Sequence, residues 1–303
     1  MYRKIIVGYD GSDQAKDALA LGKDLSETTG AELCVAGVSL VHPLLRGGAD
    51  PLDREAKQES VQQLEHAAAS VDAAVQPVQS SSPARGLHEL AEEIEADLIV
   101  VGSSRHGPVG QTILGNVGVA LMHGSPCAVA IAPRGYADQP DHDVSAIVVG
   151  YDGSPESRLA LEEGSELARA GDVPLKVVSA AEPPEIALAA SGGASYSWQS
   201  LKEAVEEQVR QRLDEARASV SGDIDVEATL VSAAPAEALA EAASAPGSLL
   251  LLGSRAYGPL RRALLGSVSR ELASSAPAPL IVHPRGMHEE QKAAPTAEAG
   301  TTA

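Results

Sequence analysis

KIIVGYDGS (residues 4–12) decides the fold, because the chain contains it twice: AIVVGYDGS stands at 146–154. An apolar run that closes on a small, acidic turn is a buried strand leading into a helix. Working outward, ADLIVVGSSRHGPVGQTILGNVG (96–118) returns as GSLLLLGSRAYGPLRRALLGSVS (247–269), and CAVAIAPRG (127–135) returns as APLIVHPRG (278–286). Asp10 and Asp152 lie 142 positions apart; Gly102 and Gly253, like Gly115 and Gly266, lie 151 apart. Two copies therefore run in register. The second is about nine residues longer, and the surplus is placed in PPEIALAASGGASYSW (183–198).

Each copy reads as alternating strands and helices. The opening strands are continuous apolar runs, suited to a sheet covered on both faces. Ser12 and Ser154 sit at N-cap positions, and Pro155 follows where its missing N–H costs nothing. Helices are expected over 13–28 and 155–169, then strands ELCVAGV (32–38) and PLKVVSA (174–180). Polar-faced helices follow near 53–71 and 199–219; the Glu/Arg-rich second one reads as a solvated face. Third strands near 74–79 and 225–231 lead to helices near 84–95 and 235–245. A fourth strand, a loop, a fourth helix and a fifth strand complete each copy. The fold class is α/β, two tandem doubly wound domains with five-stranded parallel sheets. The first domain spans 1–135 and the second 146–285, with a linker at 136–145 and a tail at 286–303 expected to be disordered. Ligands of such sheets bind beyond the strands' C-terminal ends, at the topological switch point.

Composition agrees. At 303 residues two domains are the natural division. Hydrophobic residues make up 44 % but aromatics only 2 %, with no Phe, so the core must be Val, Leu, Ile and Ala. A net charge of −19 opposes nucleic acid and anionic lipid. No apolar run approaches the ~20 residues of a membrane span. Cys34 and Cys127 are too few for a disulfide framework or a thiolate zinc cluster, and both fall in strands, where buried inert thiols are expected. A soluble, cytoplasmic protein is the expectation.

The sharpest chemical signal follows the fourth strand. In the second copy it is Gly253-Ser254-Arg255-Ala256, nine residues, then Gly266-Ser267. Glycines let backbone approach a ligand, and a helix starting at Ser267 would offer unpaired N–H groups to an anion. Ser267 and Ser269 add hydroxyls. Four arginines (255, 261, 262, 270) stand against Glu271 alone between 253 and 271. A basic cluster in an acidic chain suits one compact polyanion. Taken alone, the same loop reads as an ordinary turn, Asp10 and Asp152 as helix caps, and Val38 and Ala180 as core.

These repeats and this loop resemble the universal stress protein family in its tandem two-domain form, over all but the tail. The family's ATP-binding pattern is Gly, two residues, Gly, nine residues, Gly, then Ser or Thr. The resemblance implies adenine and ribose beside Asp152 and Ala180, and phosphates wrapped by Gly253, Arg255, Ala256, Gly266, Ser267, Val268 and Ser269. In the first copy the matching positions are Asp10, Val38, Gly102, Arg105, Gly115, Asn116 and Gly118. The second copy departs once, at Ala256; if a left-handed backbone is needed there, Ala costs about 1–2 kcal/mol, roughly tenfold in affinity. The first copy departs three times, with Arg105, Asn116 and Gly118, so its site is expected to be degenerate. The implied ligand is ATP or a related adenine nucleotide, with Mg²⁺ as a companion ion, and hydrolysis little or none for want of a positioned general base. The alternative is a stress-response adaptor or scaffold that binds no nucleotide. An unknown protein partner follows from either reading. The family's habit of pairing through strand five implies an internal pseudo-dimer, with a further homodimer left open.

Other signals fall away. Gly102 and Gly107, like Gly253 and Gly258, have Walker spacing, but Pro108 and Pro259 follow instead of Lys. SGGAS (191–195) lacks the Asp of a pyrophosphatase loop and follows the wrong strand. There is no nucleophile elbow. The eight histidines have no metal-ligand spacing, and His106 reads as a surface residue.

Overall fold

The computed structural model describes residues 1–41, 51–103, 115–140, 143–181, 195–220, 222–254, 266–273 and 275–283, with backbone alone for 51–57, 195–199 and 201. The first copy runs β1 (Lys4–Gly8), α1 (Asp13–Thr29), β2 (Glu32–Leu40), α2 (Pro51–Ala69), β3 (Ala74–Ser80), α3 (Pro83–Ile94), β4 (Leu98–Gly102), α4 (Asn116–Met122) and β5 (Ala128–Ala132). The second runs β6 (Ala146–Gly150), α5 (Pro155–Gly171), β7 (Leu175–Ala180), α6 (Ser195–Ser219), β8 (Val226–Val231), α7 (Pro235–Ala242), β9 (Ser248–Gly253), α8 (Ser267–Leu272) and β10 (Leu280–His283).

The helices start where the sequence places caps. The Ser12 hydroxyl accepts from the Ala15 amide at 3.2 Å, and that of Ser154 from the Ser157 amide at 3.1 Å. Ser82 caps α3 in the same way, whereas α7 starts at Ala234 without a side-chain cap. At their far ends α1 stops on Gly30 and α5 on Asp172, both left-handed.

All ten strands form one sheet in the order β3-β2-β1-β4-β5-β10-β9-β6-β7-β8. Pairing is parallel within each copy. The copies meet at β5 and β10, which pair antiparallel with Ile281 opposite Ala130. The expected seam through the fifth strands is therefore present, and it hides two apolar edges that would otherwise be open. Alternate strand residues feed two cores, each continuous across both copies. Ile5, Val7, Ile147 and Val149 face α1, α2, α5 and α6. Ile6, Ile99, Val148 and Leu250 face α3, α4, α7 and α8.

The chain between the copies is tied down at its start. Asp17 of α1 accepts from the amides of Gly135 and Ala137, each at 2.9 Å, and the Tyr136 hydroxyl donates to Asp24 at 2.9 Å. Tyr136 is buried, so the segment read as linker opens as part of the first copy's core. Residues 141–142, positions 183–194 of the expected 183–198 insertion, and the tail lie outside the described residues.

Candidate functional site

In each copy the first strand lies between the second and the fourth, so the connections leave it in opposite directions. A cavity opens beyond the strand ends at each of these two switch points, as such sheets dictate. The second copy's cavity, of about 250 Å³, gathers Asp152, Ala180, Gly253, Gly266, Ser267, Val268 and Ser269. Arg255 and Ala256 lie outside the described residues. The first copy's cavity is larger, about 360 Å³, and gathers Asp10, Val38, Gly102, Gly115, Asn116 and Gly118, with Arg105 outside the described residues. The resemblance thus brought together distant positions that do share a wall.

The acidic turn after the first strand is self-organised. Asp152 Oδ1 accepts from the Ser154 amide at 2.9 Å, and Asp10 Oδ1 from the Ser12 amide at 3.0 Å. The intervening Gly153 and Gly11 have φ of 79° and 78°, where any side chain would be strained. The turn holds each aspartate at the cavity wall.

Several expectations about the glycine loop change. Gly102 and Gly253 were expected to admit a ligand. A Cβ on Gly102 would stand 2.0 Å from the Gln14 carbonyl oxygen, and one on Gly253 would stand 2.4 Å from the Glu156 carbonyl carbon. The first turns of α1 and α5 therefore demand these glycines whether or not a ligand binds. Gly115 and Gly266 have φ of −80° and −59°, which any residue adopts. What glycine contributes there is the missing side chain at the cavity wall. Ser269 was expected to donate to phosphate; it is 3 % exposed, and its Oγ lies 3.4 Å from the Gly253 carbonyl, tying α8 to β9. Ser267, by contrast, is exposed at the lip. The helix it starts has only six residues, so its dipole is weak and the local N–H groups are what it offers. Of the four arginines only Arg270 is described; it is exposed on α8 and outside the cavity wall.

A residue the sequence reading missed is Arg212 of α6, which lines the second cavity with Val209. Its Nη1 donates to the Asp152 carbonyl at 3.4 Å. The helix had been read as a solvated face. The signal was the apolar spacing Val209, Leu213, Ala216, which turns that face, and Arg212 with it, toward the sheet.

Away from the cavities, burial pushes the Cys34 thiol up to about 11 and that of Cys127 up to about 12, so both are inert at neutral pH. His283 is 1 % exposed at the end of β10, its Nδ1 3.4 Å from Glu163 of α5. Burial lowers its pKa, against the opposing pull of Glu163, and holds the imidazole neutral. Tyr2, from the first copy, is buried beside the same Glu163, so this cluster straddles the seam. Among the described residues no group of acidic, His or Cys side chains could hold a metal ion, and no helix is long and apolar enough to cross a membrane.

Known proteins share this architecture. The sequence profile of the Universal stress protein family matches residues 1–133 and 144–284, one match per copy. A universal stress protein of Mycobacterium tuberculosis is 27 % identical over 298 residues, covering 92 % of this chain and 99 % of its own length. Another from the same organism is 32 % identical over 205 residues, 67 % of this chain and 66 % of its own. Among solved structures, a universal stress protein from Archaeoglobus fulgidus superposes with a TM-score of 0.66 at 19 % identity, covering 93 % of this chain and 98 % of its own. A functionally unknown Pseudomonas aeruginosa protein gives 0.61 at 16 % identity over 93 % and 92 %. At those identities the superpositions speak for the fold.

Proposed function

The chain belongs to the universal stress protein family, and from that premise we propose that it binds ATP or a related adenine nucleotide, chiefly in the second cavity, as a ligand-dependent regulator. The observation that carries this reading is the convergence of Asp152, Ala180, Gly266 and Ser267 on one cavity at the switch point. Adenine and ribose would lie by Asp152 and Ala180. The phosphates, with Mg²⁺ as companion, would lie by Gly266 and Ser267, where a helix starts without a side-chain cap and a serine is exposed. In its described wall the second cavity also carries a cation, Arg212, and the described wall of the first carries none, which favours the second. Asp152 is the carboxylate in its described wall, and it already accepts from the Ser154 amide. We assign the site binding with little or no hydrolysis, since this carboxylate is placed at the nucleoside end, away from the phosphates that a general base would have to serve. Bound nucleotide would then bias a surface read by a protein partner.

A scaffold without nucleotide is the second reading. It draws on Gly102 and Gly253, whose lack of a side chain is explained by helix packing. Equilibrium dialysis against ATP and Mg²⁺ at near-physiological salt separates the two. One ATP per chain is expected. Two per chain would mean that the first cavity is also competent. None up to millimolar ATP would leave the scaffold.

A further inference from the structure

The proposed site has two ends, and the fold separates them. Gly253, Gly266 and Ser267 stand at the end of β9, where the phosphates are placed. The sheet continues β9-β6-β7-β8, with strands about 4.8 Å apart. α6 packs on β7 and β8, so Arg212 enters the cavity from the side away from β9. Its stem lies against Gly153, with Cδ 3.1 Å from where a Cβ would stand, and its Nη1 reaches the Asp152 carbonyl at 3.4 Å. One long bond to a carbonyl engages one of the five guanidinium N–H donors.

Among the described residues the first copy has no such device. There Gln63 of α2 covers Gly11, with Oε1 2.9 Å from the would-be Cβ, but it does not reach the cavity wall. α2 contributes nothing to the described lining of that cavity, whereas α6 contributes Val209 and Arg212 to the other.

We propose that Arg212 is a binding residue for the nucleoside end of the second cavity, donating to ring-nitrogen and ribose acceptors or lying on the face of the base. The two cavities of one chain then differ in affinity for adenine nucleosides and nucleotides. A guanidinium suits this role because it is always charged, planar and able to stack on an aromatic ring. The proposal rests on the nucleotide reading above.

Calorimetric titration with adenosine, AMP and ATP tests it in the wild type, Arg212→Gln and Arg212→Lys. Gln is the residue the first copy uses over its matching glycine, so Arg212→Gln is expected to keep the melting temperature. It should weaken all three ligands by a similar factor of about ten, in one class of sites. Arg212→Lys keeps the stem and the charge and guards against a folding artefact; without the planar fork it should still bind all three at least threefold more weakly. Wild-type affinities in both variants overturn the role of Arg212 and leave the nucleotide reading standing. A loss that grows from adenosine to ATP overturns the nucleoside-end placement, because it locates Arg212 on the phosphates. No binding of any of the three to the wild type overturns the nucleotide reading itself.

Discussion

At the scale of single residues, glycines of one motif do different work. Replacing Gly253 with Ala would drive a Cβ to 2.4 Å from Glu156 backbone, which cannot swing aside as a side chain can. Thermal unfolding should show a loss of about 1–3 kcal/mol or more, whatever becomes of ligand binding. Gly266 has an ordinary φ, so Gly266→Leu should fold with little loss yet bind ATP at least tenfold more weakly; unchanged affinity would remove Gly266 from the site. The motif was legible in the sequence, but this division of labour was not, because it depends on how closely α5 approaches the end of β9. Asp172 gives a third case. It ends α5 at φ 51°, where Gly30 ends α1. Asp172→Gly should raise stability by about 0.5–1 kcal/mol, relief of the left-handed strain exceeding the added freedom of the unfolded chain.

At the scale of elements, most boundaries followed from local chemistry. Ser12, Ser154 and the prolines at 83, 155 and 235 marked helix starts that the structure keeps to within a residue. Starts without such a mark were less legible: α6 begins at Ser195, four residues before the expected 199. The role of α6 was missed for a different reason. Its charges dominate a composition-based reading, while the stripe that turns Arg212 inward is made of only a few residues one turn apart. The copies also differ at a cap. α3 has Ser82, but α7 has Ala234 and no side-chain bond. Ala234→Ser should stabilise the chain by about 0.5–1 kcal/mol in denaturant unfolding. No gain would mean that the extended backbone before α7 cannot seat the hydroxyl.

At the scale of the whole molecule, the seam was implied by the family resemblance, and CAVAIA and PLIVH, apolar edge strands that need cover, agree with it. Its polar content was not, since Glu163 and His283 are far apart in sequence and meet through the second copy's own fold, and Tyr2 joins Glu163 only when the copies dock. That cluster makes the seam acid-sensitive. His283 has a folded pKa below its unfolded value near 6.5, so the folded state binds fewer protons. Its contribution to stability is complete above that value and is lost as pH falls through the folded pKa, by up to about 1.4 kcal/mol per pH unit. Melting temperatures at pH 7.5 and 5.5 should fall more in the wild type than in His283→Asn; equal falls would clear His283 of the effect. The seam has another consequence, in mass action. Two separate chains joined edge to edge come apart on dilution and must be identical if one gene supplies them. Here β5 and β10 share a backbone, so their encounter is intramolecular and their effective concentration does not depend on how much protein the cell holds. The pairing is always one of each kind, which lets one half keep Gln63 while the other carries Arg212.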